Sequence, residues 1–304
     1  MANLSLSSLS DAQIETWIQQ ARQIAGNRLP SYVPLLSEVD PQQLDLAILG
    51  TASAVYESDS PSTFSLMSTI KPFLLLFLLE AVGKDVILER VGVEMSSFGF
   101  NSIQQLEIDG GWPRNPMLNS GAITLAGLLC DYRGNQAWKL LLNWLNKVSG
   151  SRLFLDREML ASVRELPNYT NQAIGALLAR HKHLLDVEAA LDTYNHICCF
   201  AGTVSDLARL GLILVKPAVR PDFQQFVRTL MFTCGLYEAS GKYAVQVGLP
   251  AKSGVSGVVL AVVPRQGAIA IYSPPLDESG NSVAGIYLLS EISAALNLSV
   301  FNDS

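Results

Sequence analysis

The apolar run from Pro72 to Leu79, with the sequence PFLLLFLL, most constrains how this chain can fold. A helix that is apolar on every side must be buried in the interior of a domain. The run is too short to cross a bilayer, and the charged Glu80 follows it. It therefore predicts a central helix that the rest of the chain surrounds, and the residues at its start are Ser68-Thr69-Ile70-Lys71.

Ser68 and Lys71 form an S-x-x-K motif. Side chains three residues apart on a helix lie on the same face. If this turn is buried, the lysine amine loses hydration and its pKa falls, so that a neutral amine can take the serine proton without any histidine. The motif is short, and a helix start with a solvated lysine is the alternative. Because Pro72 cannot donate a helical hydrogen bond, we expect the Ser68 carbonyl to lack its usual partner.

Composition and charge exclude several classes of protein. A chain of 304 residues forms one large or two closely packed domains. The net charge is −6 and there is no basic stretch, which argues against a nucleic-acid partner. Residues 1–5 show no secretory signal, and no segment predicts a membrane partner. We therefore expect a cytoplasmic protein.

The cysteines and histidines predict neither disulfides nor a metal site. Their spacing matches no disulfide framework and no zinc motif, so we interpret the cysteines as small core residues in a reducing compartment. The four cysteines are Cys130, Cys198, Cys199 and Cys234.

The predicted elements follow the order strands, helices, strands, helix. A helix is predicted over 11–25, behind Ser10, and a strand pair over 45–57. Helical patterns cover 68–82, 119–131, 136–149, 171–183, 187–195 and 203–216. Strand patterns return at 243–247, 258–263 and 268–272, before a last helix over 281–296. This order predicts an α+β fold, with one sheet from both chain ends and an inserted helical domain. We expect one catalytic unit over 1–304, with 1–67 and 225–304 in the sheet layer and 68–224 in the helical layer.

A second motif, Lys252-Ser253-Gly254, is expected just before a strand of the sheet. There it would face Ser68 across a cleft, with a cation, a hydroxyl and a glycine that permits close approach. The N–H groups of Ser68 and Val255 could then form an oxyanion hole. S-x-x-K with K-[ST]-G is the signature of serine β-lactamases and penicillin-binding proteins. The pair therefore predicts serine acyl transfer in a β-lactamase/transpeptidase-like fold with an antiparallel sheet.

Three longer blocks are similar to those of the serine-dependent glutaminase family. They are NPMLNSGAI from Asn115 to Ile123, CGLYEASG from Cys234 to Gly241, and VGLPAKSGVSG from Val247 to Gly257. Shorter matches extend the resemblance from about Tyr32 to the end of the chain.

The resemblance implies a function and a set of site residues. The function is hydrolysis of free L-glutamine to L-glutamate and ammonia through a serine acyl-enzyme, without a metal or organic cofactor. The family's catalytic serine and lysine fall on Ser68 and Lys71, with Tyr237 or Lys71 as the acid. A homo-oligomer, dimer or tetramer, is also implied. The substrate-contacting positions are Tyr32, Ser68, Asn119, Asn171, Tyr194, Tyr237 and Val255.

Three of these positions have a structural interpretation as well. Asn119 and Asn171 precede helical patterns and could be N-caps. Tyr194 lies within a helical pattern and could be a half-buried core tyrosine.

The chain departs from the family pattern at two places. Met67 stands where the family commonly has a glutamine before the nucleophile, and we expect altered loop packing there. The family also places a glutamate seven residues before the position of Asn171. In this chain that residue is Arg164, and Glu165 is six residues before Asn171. We assign Glu165 to the substrate ammonium, with a one-residue deletion within 166–170. An arginine there would repel the ammonium.

Two other classes of function are alternatives to this one. A β-lactamase or D,D-peptidase shares both short motifs, but the chain lacks a Ser-Asp-Asn motif and carries the three longer blocks. A non-catalytic binding protein with the same fold is the third hypothesis, and Met67 and the displaced glutamate are its only support.

Overall fold

The computed structural model describes residues 5–165 and 168–302. Residues 1–4, part of the segment that predicts no secretory signal, lie outside this range. Two antiparallel sheets are present, of five and three strands. The larger contains β1 Asp45–Gly50, β2 Ala54–Glu57, β6 Ala251–Gly254, β7 Val258–Val263 and β8 Gly267–Tyr272, in the order β2-β1-β8-β7-β6. The smaller contains β3 Phe64–Ser65, β4 Phe154–Leu155 and β5 Phe200–Gly202, in the order β3-β5-β4.

Most helices form a block between the two groups of large-sheet strands, while two helices precede the first strand and one follows the last. The first seven are α1 Asp11–Ile24, α2 Pro34–Ser37, α3 Lys71–Val82, α4 Lys84–Leu88, α5 Ile103–Ile108, α6 Asn119–Arg133 and α7 Ala137–Ser149. The others are α8 Arg157–Glu165, α9 Tyr169–Arg180, α10 Val187–Cys198, α11 Val204–Ile213, α12 Pro221–Cys234, α13 Ser240–Gln246 and α14 Val283–Leu296. In the described residues, none of them is long and apolar enough to span a membrane.

Both faces of the large sheet are buried. Side chains alternate along a strand, so Leu46 and Ile48 of β1 face one core, and Ala47 and Leu49 face the other. Helices α1 and α14 cover the first face, and α11 packs on the second. The strands β7 and β8 are buried along their whole length, which explains their continuous apolar sequence. The predicted α+β fold, with its sheet built from both chain ends, is confirmed.

Helix α3 is the buried helix that its sequence predicts. From Lys71 to Leu79 every side chain is buried except Phe77, which is partly buried. It packs against α6, α7 and α12 within the helical block. The helix therefore fixes the turn that precedes it, which carries Ser68, deep in the domain.

One predicted strand is wrong. Residues 243–247 belong mostly to helix α13, which ends at Gln246. Ser240, Tyr243 and Val247 are buried at helical spacing, while Val245 is 89% exposed. Apolar residues alternate over this short segment, which favours a strand, but the segment is too short to distinguish a strand from a helix with one buried face.

The three short strands β3, β4 and β5 were not predicted, and neither was β6 of the large sheet. Lys252-Ser253-Gly254 lies within β6 itself rather than before a strand. The strand pairs with β7 through Lys252 opposite Leu260 and Ser253 opposite Val259. Its lysine, serine and glycine carry no apolar pattern, although all of its residues are buried.

The start of α1 and the state of the cysteines agree with the sequence. Ser10 caps α1, and its hydroxyl accepts a hydrogen bond from the Gln13 N–H. The cysteines are free and buried, as expected of small core residues.

Candidate active site

Ser68 lies in a 3-10 turn, Met67–Ile70, that leads directly into α3. Its side chain is buried. In a 3-10 turn residues i and i+3 eclipse each other, so Ser68 and Lys71 lie on one side of the turn. The expectation that the Ser68 carbonyl lacks a partner is wrong, because it accepts a hydrogen bond from the Lys71 N–H. The tighter turn replaces the bond that Pro72 cannot donate.

Two positions with unusual backbone conformations lie at the candidate site, one at this turn and one at Tyr237. Among the described residues, six non-glycine residues have a positive φ, and Met67 (46°) and Tyr237 (58°) are two of them. Such conformations cost about 1–3 kcal/mol each and persist where the surrounding structure holds them. The residue before Ser68 is thus held in an unusual conformation, and Met67 is buried there.

Lys71 is 1% exposed, and both acceptors of its amine are uncharged. The Nζ atom donates to Oδ1 of Asn119 at 2.8 Å and to the Met117 carbonyl at 3.1 Å. It lies 5.9 Å from the centre of the Tyr194 ring. Burial lowers the pKa of Lys71 to about 7. The amine is therefore largely neutral just above neutral pH and can act as a base.

Asn119 is the centre of a buried polar network. Its Oδ1 also accepts a hydrogen bond from the Tyr194 hydroxyl at 3.1 Å, and its Nδ2 donates to Oδ1 of Asn171 at 2.9 Å. The network joins the first turns of α6 and α9 to the side of α10. It thus brings three of the predicted site residues together with Lys71.

The N-cap interpretation of the two asparagines is wrong. Leu118 precedes α6 at the cap position, and the Asn168 side chain caps α9 by accepting from the Asn171 N–H at 2.9 Å. The side chains of Asn119 and Asn171 are instead buried and point to each other.

Strand β6 brings Lys252 against Tyr237. The Lys252 amine is completely buried and donates to the carbonyls of Gly235 at 2.9 Å and Ser253 at 2.7 Å. It also lies 4.3 Å from the centre of the Tyr237 ring. Burial lowers the pKa of Lys252 well below its ordinary value, and the charge of Lys71 lowers it further. Lys252 thus anchors the strand and the tyrosine.

The same strand approaches the Ser68 turn closely. A side-chain carbon at Gly254 would stand 2.8 Å from the Leu66 carbonyl oxygen, so this position admits only glycine without movement. Just beyond, the Ser256 hydroxyl donates to the Ser65 carbonyl at 2.7 Å. Val255, between these two contacts, is buried next to the turn.

Tyr237 connects the two motifs. Its hydroxyl donates to the Ser253 carbonyl at 3.2 Å, and its ring lies 4.7 Å from that of Phe100. Burial raises the pKa of Tyr237, and an interaction with the side chain of Ser68 partly offsets the rise. The phenol therefore keeps its proton at neutral pH.

Tyr32 and Glu165 lie nearer the surface. Tyr32 is 52% exposed, and Glu165 is exposed as the last residue of α8. The Arg164 guanidinium pairs with Asp192 of α10. Leu166 and Pro167, within the segment to which we assign the deletion, lie outside the described residues. The choice between Glu165 and Arg164 stays a prediction.

Cys198 also lies near the lysine, a position that the sequence did not predict. It follows Tyr194 by four residues in α10, so both lie on one face of that helix. Burial raises the pKa of its thiol to about 11, and the charge of Lys71 opposes that rise. The helical spacing from Tyr194 was the signal that could have placed it beside the lysine.

The arrangement supports one kind of chemistry. A buried serine and a buried amine of lowered pKa lie on one turn, and amide and phenol groups surround them. A serine nucleophile with a lysine base requires this combination of groups.

Comparisons with known proteins agree with this geometry. The model of the family described as glutaminase matches residues 27–301. The chain is 44% identical to a glutaminase of Synechocystis, over 95% of this chain and 90% of that protein. It is 37% identical to a glutaminase of Oceanobacillus iheyensis, over 95% of this chain and 94% of that protein.

Solved structures are similar over nearly the whole chain. A probable glutaminase, ybaS, superimposes with a TM-score of 0.89 at 34% identity, over 97% of this chain and 100% of that one. A probable glutaminase from Bacillus subtilis, complexed with 6-diazo-5-oxo-L-norleucine, gives a TM-score of 0.85 at 31% identity, over 95% and 96% of the two chains.

Proposed function

This chain belongs to the glutaminase family and is a hydrolase of the glutamine amide, and we propose that Ser68 is its nucleophile and Lys71 its base. The observation that carries the assignment is the state of Lys71. Its amine is buried, its two hydrogen-bond acceptors are uncharged, and it follows Ser68 on the same 3-10 turn. An amine so placed loses its proton near neutral pH and can accept that of Ser68.

In the first step Ser68 Oγ attacks the side-chain carbonyl carbon of glutamine while Lys71 takes the hydroxyl proton. The negative charge develops on the carbonyl oxygen, which the N–H groups of Ser68 and Val255 stabilise. Ser68 is the second residue of its 3-10 turn, where the N–H has no acceptor within the turn. Val255 directly follows β6, which packs against that turn.

In the second step ammonia leaves with a proton. The Lys71 ammonium, with a pKa of about 7, is a much stronger acid than a phenol of raised pKa. We therefore assign the proton to Lys71 and give the Tyr237 hydroxyl the task of aligning the leaving nitrogen. Water, deprotonated by the same lysine, then attacks the acyl carbon, the bond to Ser68 Oγ breaks, and Lys71 returns the proton to that oxygen as glutamate is released. The cycle needs no metal or organic cofactor.

The free amino acid carries an α-ammonium and an α-carboxylate that need partners when buried. We propose that Glu165 binds the ammonium and that Tyr32, Asn119, Asn171 and Tyr194 orient the rest of the substrate. A site built around those charges rejects peptide-bound glutamine, because its polar groups would be left unpaired.

The assay that tests this function measures ammonia released from L-glutamine. We expect turnover with glutamine, none with N-acetylglutamine, and no hydrolysis of nitrocefin. Hydrolysis of nitrocefin without ammonia release from glutamine would instead indicate a β-lactamase. Binding of glutamine without ammonia release would indicate a non-catalytic relative.

The pH dependence should follow the ionisation of Lys71. A base must be neutral to accept a proton, and the pKa of Lys71 is about 7. We therefore expect kcat/KM to fall tenfold per pH unit below about 7 and to level off above it. Rates measured from pH 5 to 9 test this expectation. A profile without an ascending limb in this region would show that another group is the base.

Substitution Glu165→Gln should raise the KM for glutamine by about tenfold, as expected for a lost charge-assisted hydrogen bond. Glu165 ends helix α8, which packs against α2, the helix that begins two residues after Tyr32. The Ser162 hydroxyl of α8 accepts a hydrogen bond from the Leu35 N–H of α2 at 3.2 Å. These contacts place Glu165 in the same region as Tyr32. Initial rates over a range of glutamine concentrations measure the effect.

The matched control is Arg164→Gln. Its guanidinium pairs with Asp192, so we expect little change in KM from its loss. A rise in KM for Arg164→Gln without one for Glu165→Gln would mean that the register without a deletion is correct.

We also propose a cytoplasmic homo-oligomer, a dimer or tetramer, in which each chain forms one catalytic unit over 1–304. In each unit 68–224 form the helical layer, and 1–67 with 225–304 form the layer that contains the sheet.

Light scattering measures the mass of the assembly. A single cooperative unfolding transition is expected of one unit.

A further inference from the structure

A buried asparagine shapes the turn that leads into helix α6. Asn115 is completely buried, and its Oδ1 accepts hydrogen bonds from the N–H groups of Met117 at 2.9 Å and Leu118 at 3.2 Å. Its Nδ2 donates to the Glu94 carbonyl at 2.7 Å. All three partners are backbone groups. An asparagine that accepts from the backbone just ahead of it fixes a turn, so this side chain determines the path of the chain over 115–118.

The turn leads to both acceptors of the Lys71 amine. The Met117 carbonyl accepts a hydrogen bond from Nζ of Lys71 at 3.1 Å, and Oδ1 of Asn119, the first residue of α6, accepts one at 2.8 Å. Met117 is 46 residues from Lys71 in the chain, so the local structure of α3 does not place this acceptor. The position of both acceptors depends on the turn, and the turn depends on Asn115.

Helix α6 packs closely against the same turn. A side-chain carbon at Gly121 would stand 2.1 Å from the carbonyl oxygen of Asn115 and 3.1 Å from Cα of Pro116. These are backbone atoms, which cannot rotate away, so only glycine fits at position 121 without movement. The turn is therefore held in two ways, by the side-chain hydrogen bonds of Asn115 and by the close approach of α6.

We propose that Asn115 is a positioning residue for the base, because it holds the Met117 carbonyl and Asn119 against the amine of Lys71. The inference rests on the proposed role of Lys71 in glutamine hydrolysis. The hydrogen bonds of the Asn115 side chain go to backbone groups, so Asn115 acts on the amine through its neighbours.

The two acceptors influence both the ionisation and the orientation of the amine. A carbonyl oxygen that accepts a hydrogen bond stabilises an ammonium more than a neutral amine. An amine deprived of such acceptors therefore loses its proton at lower pH. It is then also a weaker base, and it is held less firmly toward the Ser68 hydroxyl.

The other titratable groups near Lys71 stand on two elements. Tyr194 and Cys198 belong to α10, and Lys252 belongs to β6. Burial raises the pKa of Cys198 to about 11 and that of Tyr194 well above its ordinary value, so both are uncharged around neutral pH. Burial lowers the pKa of Lys252. The hydrogen bonds of the Asn115 side chain involve none of these groups, so replacement of Asn115 affects the amine through the acceptors that the turn presents.

The kinetics of Asn115→Ala from pH 5 to 9 test the proposal. We expect kcat/KM at high pH to be about tenfold lower than in the wild type, and the ascending limb of the profile to move about one pH unit toward acid. The deficit should therefore shrink as the pH falls. The position of the limb is the decisive readout, because partial unfolding lowers the whole profile without moving its limb.

Two outcomes distinguish failure of this inference from failure of the proposed function. A wild-type limb near pH 7 together with an unshifted limb in Asn115→Ala would overturn the role of Asn115 and leave Lys71 as the base. A wild type without an ascending limb would remove Lys71 as the base, and this inference with it.

The matched control is Asn146→Ala. The Asn146 side chain, in α7, also bonds backbone groups, since it donates to the Leu153 carbonyl and accepts from the Leu153 N–H, each at 2.8 Å. Its loss should lower the unfolding temperature and leave the limb in place. A limb that moves equally in Asn146→Ala and Asn115→Ala would show a general effect of destabilisation and would overturn the proposal.

Asn115→Ser keeps the test open if the alanine variant does not fold. A serine hydroxyl can accept from the Met117 N–H, although more weakly than the asparagine does. We expect the limb to move in the same direction by about half as much. A limb at the wild-type position in Asn115→Ser would overturn the proposal in that case.

Discussion

Replacement of Ser68 by alanine is expected to lower ammonia release from glutamine by about 10³-fold or more, because the nucleophile acts as part of a unit. The side chain is small and buried, and alanine suits the start of a helix, so the fold should be retained. Ammonia production and the thermal unfolding temperature, measured on the same preparation, separate loss of chemistry from loss of structure.

The control for this variant is Ser293→Ala. Ser293 is another buried serine, in α14, whose hydroxyl donates to the Val247 carbonyl at 2.6 Å. Its loss affects packing on the far face of the sheet and should leave the rate close to that of the wild type. Retention of more than about a tenth of the activity by Ser68→Ala would contradict the assigned mechanism.

Replacement of Lys71 by alanine or arginine should be nearly as damaging as loss of Ser68. Alanine removes the base, and a guanidinium does not deprotonate at accessible pH. The double variant Ser68→Ala/Lys71→Ala should release ammonia only slightly more slowly than either single alanine variant, because the two residues act together. Rates of ammonia release for the three variants test this non-additivity.

Lys71→Met distinguishes a catalytic from a structural role. Methionine keeps part of the volume of the buried lysine stem without its amine, and removal of an ionisable buried group is often neutral or stabilising. We expect a folded protein with negligible turnover. Turnover by Lys71→Arg would show that Lys71 is a fixed charge and that another group takes the proton.

The sequence predicted those parts of the fold that local pattern determines. The apolar run after Lys71 has only one stable environment, the interior, and it lies there as α3. The strands β7 and β8 are continuous apolar runs between turn residues, and both were predicted within one residue. Ser68 and Lys71 were predicted to act together because three-residue spacing already places them on one side of a turn.

Other features depend on contacts between segments far apart in the chain. Strand β6 is recognisable only through its pairing with β7, since Lys252 and Ser253 would be polar surface residues in most sequences. Asn119 was open to interpretation as a cap because its partners, Lys71 and Asn171, are 48 and 52 residues away. Its orientation toward them is a property of the packed helices, not of its own segment.

The packing around Tyr237 was likewise invisible in the sequence. Tyr243 was assigned to a strand, and its inward orientation follows from the helical spacing of α13. Asn281 was placed at the start of the last predicted helix, which instead begins at Val283. In the described residues the Tyr243 hydroxyl and Oδ1 of Asn281 are buried without a hydrogen-bond partner, which becomes evident only when the two segments are folded.

Covalent labelling tests the central claim, that Ser68 is the nucleophile that attacks the glutamine side chain. The diazoketone 6-diazo-5-oxo-L-norleucine resembles glutamine and alkylates a nucleophile at the position of the amide. Peptide mass spectrometry after inactivation should find one label per chain, on Ser68, and none in the Ser68→Ala variant. A label on any other residue, equal labelling of Ser68→Ala, or inactivation without a covalent adduct would contradict the assignment.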